Sequence, residues 1–177
     1  MQNHYPLSLK FVQEKETTNQ RLFTDVFDAP AAGRIVALDI GTKRFGVAVS
    51  DELQFTVRAV CTVKRTGWKK LLKQIIDILE DFDAVALVLG LPYNFDGSES
   101  EMSREARRLA QNFSLSLQIP VYLQDERVST IDARHSLYER GYNPKEIRQR
   151  IDAEAAANIL SDFIDRKKLN KQKSIIE

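Results

Sequence analysis

Arg34-Ile35-Val36-Ala37-Leu38-Asp39-Ile40-Gly41-Thr42-Lys43-Arg44-Phe45-Gly46-Val47-Ala48-Val49-Ser50 is the stretch from which the fold can be read. Ile35 to Ile40 is almost wholly apolar, which suits a central strand covered on both faces. Thr42-Lys43-Arg44 reads as a short turn, and Phe45 to Val49 returns as a second strand. Val57 to Val63 is a third run, rich in β-branched residues, so an antiparallel meander is expected. Asp39 is the exception within this stretch: a carboxylate on a strand otherwise built for burial.

Beyond the meander the period changes. Trp68, Leu71, Leu72, Ile75, Leu79 and Phe82 follow helical spacing, and Val85 to Leu89 is a short strand ending at Gly90-Leu91-Pro92. Ser98 and Glu101 read as a capping box opening a helix with the stripe Met102, Ala106, Leu109, Phe113 and Leu117. Pro120 to Leu123 gives a fifth strand. A helix is expected from Ser129 or Thr130 to Gly141, and another from Asn143, with Pro144 at its first position. Ala156, Ile159, Leu160 and Phe163 form the last apolar face. The order βββ-α-β-α-β-α-α implies an α/β fold: a five-stranded mixed sheet, antiparallel meander plus βα units, with helices on both faces.

With 177 residues the chain fits one domain. Residues 1–33 are polar and end in Asp28-Ala29-Pro30-Ala31-Ala32-Gly33, which reads as an N-terminal extension, loosely packed or partly disordered. The domain proper is placed at 34–168, and Lys171 and Lys173 mark 169–177 as a basic tail.

Composition narrows the chemistry. Cys61 is the only cysteine, which excludes an intrachain disulfide and a cysteine-based zinc site; its apolar neighbours suggest a small buried hydrophobe. His4 and His135 are the only histidines, so multi-histidine metal sites are out as well. Any metal must be held by oxygen, which points to Mg2+ or Mn2+. The formal charge of +1 does not advertise nucleic acid. No apolar run approaches the ~20 residues of a transmembrane helix. No secretory signal pattern opens the chain, so a cytoplasmic protein is the default expectation.

Three acidic positions stand out. An unpaired buried carboxylate is costly, so Asp39 calls for a metal or, alternatively, a salt bridge. Asp125-Glu126-Arg127 follows the fifth strand, and strand alternation lets only one of its two acids share a face with Asp39. The bland account of that pair is an acidic strand end held by Arg127. Asp152 precedes residues 156, 159, 160 and 163 by helical offsets, which turns it inward, although a solvated or capping aspartate is common there. One carboxylate on the first strand, one after a later strand and one on the C-terminal helix suit phosphodiester hydrolysis assisted by one or two divalent ions.

Leu38-Asp39-Ile40-Gly41-Thr42-Lys43-Arg44-Phe45-Gly46-Val47-Ala48-Val49-Ser50-Asp51 resembles the opening motif of the bacterial YqgF (RuvX-like) family. Gly90-Leu91-Pro92 with Asp96-Gly97-Ser98, the triplet Asp125-Glu126-Arg127, and Asp152 followed by Ala155-Ala156 resemble its later motifs, in the same order. The resemblance implies an RNase H-like fold, kinship with Holliday junction resolvases, and nuclease processing of the 5′ end of pre-16S ribosomal RNA. It also implies Asp39, Glu126 and Asp152 as the catalytic, metal-holding acids, and so selects Glu126 over Asp125. Two features depart from the family pattern: the basic run before the final Asp is sparse (Lys145, Arg148, Arg150), and residues 1–32 have no counterpart.

The expected partner is nucleic acid, RNA ahead of structured DNA, with no membrane and with monomer or homodimer left open. Lys43, Arg44, Arg127, Arg148 and Arg150, with Arg134 beside them, are the candidate phosphate contacts. Tyr93, Asn94 and Phe95 are expected to pack their loop rather than stack on a base. Three other readings compete. An actin-like or sugar-kinase phosphate cradle would need a second domain and a second glycine-rich loop. A four-way-junction resolvase predicts a dimer. A binding module without catalysis is the third, and the intact acids oppose it.

Overall fold

The computed structural model describes residues 22–23, 26–94, 96–126 and 144–176. Strands β1 (Leu22–Phe23), β2 (Arg34–Ile40), β3 (Arg44–Ser50), β4 (Val57–Lys64), β5 (Ala84–Leu91) and β6 (Val121–Asp125) form one sheet. Helices α1 (Trp68–Asp81), α2 (Glu101–Ser116) and α3 (Pro144–Ile176) cover it. The helix expected at 129–141 lies outside the described residues.

The sheet order is β1-β6-β5-β2-β3-β4. β2, β3 and β4 form the expected antiparallel meander, whereas β2–β5, β5–β6 and β1–β6 are parallel. The five anticipated strands are present, and β1 adds a short sixth at the edge.

Strand alternation splits the core into two layers. Val36, Leu38 and Ile40 of β2 join Val47 and Leu89 under α1 and α2, whose Leu71, Ile75, Leu79, Ala106, Leu109 and Phe113 are buried. Ile35 and Ala37, with Ala48, Val88 and Tyr122, face α3, which buries Ala156, Ile159, Leu160 and Phe163 against them. A continuous apolar β2 is therefore what a strand with helices on both sides requires.

Several expectations are corrected. Part of the segment before residue 34 packs on the sheet: Val26 is 1% exposed in the α3 layer, β1 pairs with β6, and Tyr122 Oη donates to the Asp28 carbonyl at 2.9 Å. A polar composition hid the few apolar residues that dock. Residues 169–176 continue α3. The cap of α2 is Ser100, not Ser98. Ser103 N donates to Ser100 Oγ at 3.0 Å, and Ser100 N donates back to Ser103 Oγ at 2.9 Å. Ser98 is held instead in its own turn, where its backbone N donates to Asp96 Oδ1 at 2.9 Å. Cys61, expected to be buried, is exposed on β4, the outermost strand.

One tie fixes α3 at the far end of the sheet. Lys167 Nζ donates to the Pro30 carbonyl at 2.6 Å and to Gln54 Oε1. Gln54, buried and with φ 58°, in turn donates from Nε2 to the Gly33 carbonyl at 2.9 Å.

Candidate active site

Asp39 stands on the α3 face, near the C-terminal end of β2, directly across from Gly46 of β3. A Cβ on Gly46 would overlap the backbone carbonyl of Asp152 and come within 3.0 Å of Ala153 N. Helix α3 therefore touches the sheet backbone-to-backbone beside Asp39, and only a glycine permits that approach. On the other side of β2 the parallel register runs to Leu38↔Leu89, so the next step sets Gly90 beside Asp39. A Cβ on Gly90 would overlap Glu126 Oε1 and lie 2.7 Å from Ile159 Cδ1. Asp39 is thus flanked by two glycines, one admitting the Asp152 backbone and the other the Glu126 carboxylate.

Alternation along β6 explains why Glu126 and not Asp125 is the acid on this side. Val121 and Leu123 face α1 and α2, while Tyr122 faces α3, as does the two-residue series continuing through position 124 to 126. Glu126 N donates to the Leu91 carbonyl at 3.3 Å, extending the ladder one step past the strand.

The electrostatics follow from this crowding. Burial pushes the Asp39 carboxyl up to about 6, and the negative charge of Asp152 adds to the shift. Burial pushes Glu126 up to about 7, with further contributions from Asp39 and Asp125. Desolvation and like charge both disfavour the ionised forms, and a cation among these groups would reverse that penalty. Asp152 is drawn to Arg44, whose Nε lies 3.2 Å from its Oδ2. The ion pair weighed for Asp39 thus goes to Asp152 among the described residues.

Among the described residues no three His, Cys, Asp or Glu side chains converge tightly enough to hold one ion as they stand. The donors nevertheless fit a hard divalent cation in kind, being all carboxylate oxygens in a partly desolvated cleft.

Of the basic candidates, Lys43 is exposed in the β2–β3 turn, Arg44 is half-buried on Asp152, and Arg150 is exposed near the start of α3. Arg127 and Arg134 lie outside the described residues, as does the side chain of Arg148. Tyr93 packs its loop, as expected: its hydroxyl accepts from Arg107 Nη2 at 2.7 Å, and its ring lies against the core. Phe95 lies outside the described residues.

Sequence reasoning quoted Gly46 and Gly90 within motifs but gave them no role, and it did not single out Gln124. A glycine inside a strand is a readable sign of close backbone approach, so the first two had a signal. Gln124 is 5% exposed on β6; its Nε2 donates to the Asp125 carbonyl at 3.0 Å, and its Oε1 has no hydrogen-bond partner among the described residues.

Residues 33–166 match the model of the RuvX Holliday junction resolvase family. The chain belongs to the RuvX family. A relative from Anaeromyxobacter dehalogenans strain 2CP-C, named "Putative pre-16S rRNA nuclease", is 41% identical over 134 residues, 76% of this chain and 98% of that protein. A relative of the same name from Paracoccus denitrificans is 37% identical over 137 residues, 77% of this chain and 87% of that one. Among solved structures, Thermus thermophilus RuvC in complex with a Holliday junction substrate aligns with a TM-score of 0.47 and 16% identity, over 76% of this chain and 95% of that one. The RuvX match begins at Gly33, so it includes the whole row of Asp39, Gly46, Gly90 and Glu126 and ends beyond Asp152.

Proposed function

We propose that this RuvX-family protein is a divalent-metal-dependent nuclease that hydrolyses phosphodiester bonds, with pre-16S ribosomal RNA the favoured substrate. The observation that carries the reading is the pair of glycines beside Asp39, which bring acids from three separate elements to one end of the sheet. The names of the relatives favour RNA; the family description keeps branched DNA as the second substrate.

Asp39, Glu126 and Asp152 would hold the ion or ions. A bound divalent cation supplies an activated water and charge stabilisation at the scissile phosphate. The protein's own contribution is positional. Asp39 is fixed by two neighbouring strands, Asp152 by the seating of α3 on Gly46, and Glu126 by the space above Gly90. Arg44 would be available to neutralise a phosphate oxygen if Asp152 held the cation.

The deciding experiment incubates the purified protein with pre-16S RNA, single-stranded RNA and four-way DNA junctions, each with Mg2+, Mn2+ or chelator. Metal-dependent cleavage of the RNA supports the proposal in full. Cleavage of junctions alone transfers the activity to branched DNA. No cleavage of any substrate with either metal overturns it. Among the described residues no helix is long and apolar enough to cross a membrane.

A further inference from the structure

The same end of the sheet carries a line of cations that leads away from the acids. Arg44, bonded to Asp152, is paired in register with Lys64 at the end of β4. Arg65 N donates to the Lys43 carbonyl at 3.0 Å, so the two basic turns lie side by side. The Arg65 guanidinium sits 5.9 Å from the centre of the Phe45 ring and bonds to Glu105 of α2. Glu105 also holds Arg108 at 3.0 Å, and Arg104 stands one turn earlier on that helix. Lys43, Lys64, Arg104 and Arg108 are exposed.

The acids beside this line are Asp152, which holds Arg44, and Glu101 and Glu105 of α2. Glu105 is only 19% exposed at its side chain and brackets two guanidiniums, so it fixes cations more than it cancels them. Six cations against three acids, in a chain of net charge +1, make a local positive track on a nearly neutral molecule. A hydrophobic anchor for Arg65 and a carboxylate bracket for two arginines hold their guanidiniums in place before any ligand arrives.

We infer that nucleic acid leaves the cleft over this rim, its phosphates following Lys43, Lys64, Arg65, Arg104 and Arg108 from the end of β4 onto α2. The inference rests on the nuclease reading and adds the direction of the substrate's flank. The contacts are to the backbone, so they are indifferent to base sequence and sensitive to salt.

The test measures binding in chelator, where nothing is cut. The probes are a labelled RNA duplex with a single-stranded tail and a labelled four-way DNA junction. Lys64→Glu with Arg104→Glu should lower affinity at least tenfold at low salt. The milder Lys64→Gln with Arg104→Gln should reduce the slope of log K against log salt by ~1.4 to ~1.8, at ~0.7 to ~0.9 per phosphate contact. Arg58→Glu with Lys168→Glu makes the same charge change at the opposite end of the sheet and should leave affinity within about twofold. Melting curves establish that each variant is folded, and the Gln pair serves if the Glu pair is not. If wild type binds and the rim variants bind equally well, or if the control pair loses as much, the track is refuted and the nuclease reading stands. If wild type binds neither probe, both fall.

Discussion

The Glu126 carboxylate occupies the space that a side chain at position 90 would fill. Gly90→Ala therefore forces Glu126, and with it Ile159 Cδ1, to move. Both are ends of flexible side chains, so the fold should survive with a modest loss of thermal stability. Cleavage should drop by about two orders of magnitude, consistent with a ~1 Å misplacement at a reacting centre. Thermal melts and single-turnover cleavage on the same preparation check this. An alanine variant that cuts at the wild-type rate would show that the position of Glu126 is immaterial.

Gly46→Ala should behave differently. Its Cβ meets the Asp152 carbonyl, which is helix backbone and cannot swing aside. Stability should fall by ~1 to ~3 kcal/mol, the usual cost of overpacking. Chemical denaturation of the two variants side by side should rank Gly46→Ala as the less stable.

The raised carboxyls make a signed prediction about pH. Asp39 and Glu126 bind protons more tightly folded than unfolded, so the folded state holds the extra protons between their ordinary values and about 6 and 7. Without metal, stability should fall as pH rises through that window and level off above it. Asp39→Asn should flatten the profile. Divalent cation should reverse the trend, since binding displaces the same protons and tightens as pH rises. Calorimetric melting from acid to neutral pH, with chelator and with Mn2+, tests both; a metal-free stability that climbs over this range would contradict the assignment.

Asp39→Asn keeps volume and removes charge. Cleavage should fall by orders of magnitude, while binding in chelator is retained or tightened, one phosphate-repelling charge being gone. Cleavage by the variant at the wild-type rate would end the metal-nuclease account.

The start of the domain can be located by deletion. A chain lacking residues 1–33 loses Val26, β1 and the Asp28 carbonyl that Tyr122 bonds. It should be less stable than one lacking residues 1–21 by roughly 2 kcal/mol or more, about the contribution of one buried valine. Equal melting temperatures would return residues 22–33 to the status of an appendage.

Much of this architecture was legible because hydrophobic period is local. The runs at 35–40 and 85–89 and the stripe 156–163 are patterns within a few turns or one strand. What escaped depends on partners distant in sequence. Val26 looks like one apolar residue in a polar segment until β6 and α3 are placed around it. Ser98 with Glu101 matches the capping-box pattern, but the Asp96 turn occupies Ser98 and leaves the cap to Ser100. Cys61 reads as buried in any apolar run, but burial of an outer strand depends on what covers it. The acids could be nominated singly from their strands and helix. Their meeting beside Asp39 needed the register of β2 against β3 and β5, which no local pattern contains.

Helix α3 is pinned at two places fifteen residues apart, at Asp152 over Gly46 and at Lys167 on Pro30 and Gln54. At 1.5 Å per residue these pins are ~22 Å apart along a nearly rigid rod. If the helix moves as a unit, a disturbance at the remote pin would reach Asp152 as an axial slide. The turn that holds Gln54 would thereby help to set the position of the carboxylate at the other end. Substitutions at Gln54 or Lys167, far from any phosphate, should show up as faults of catalysis before they show up as faults of folding.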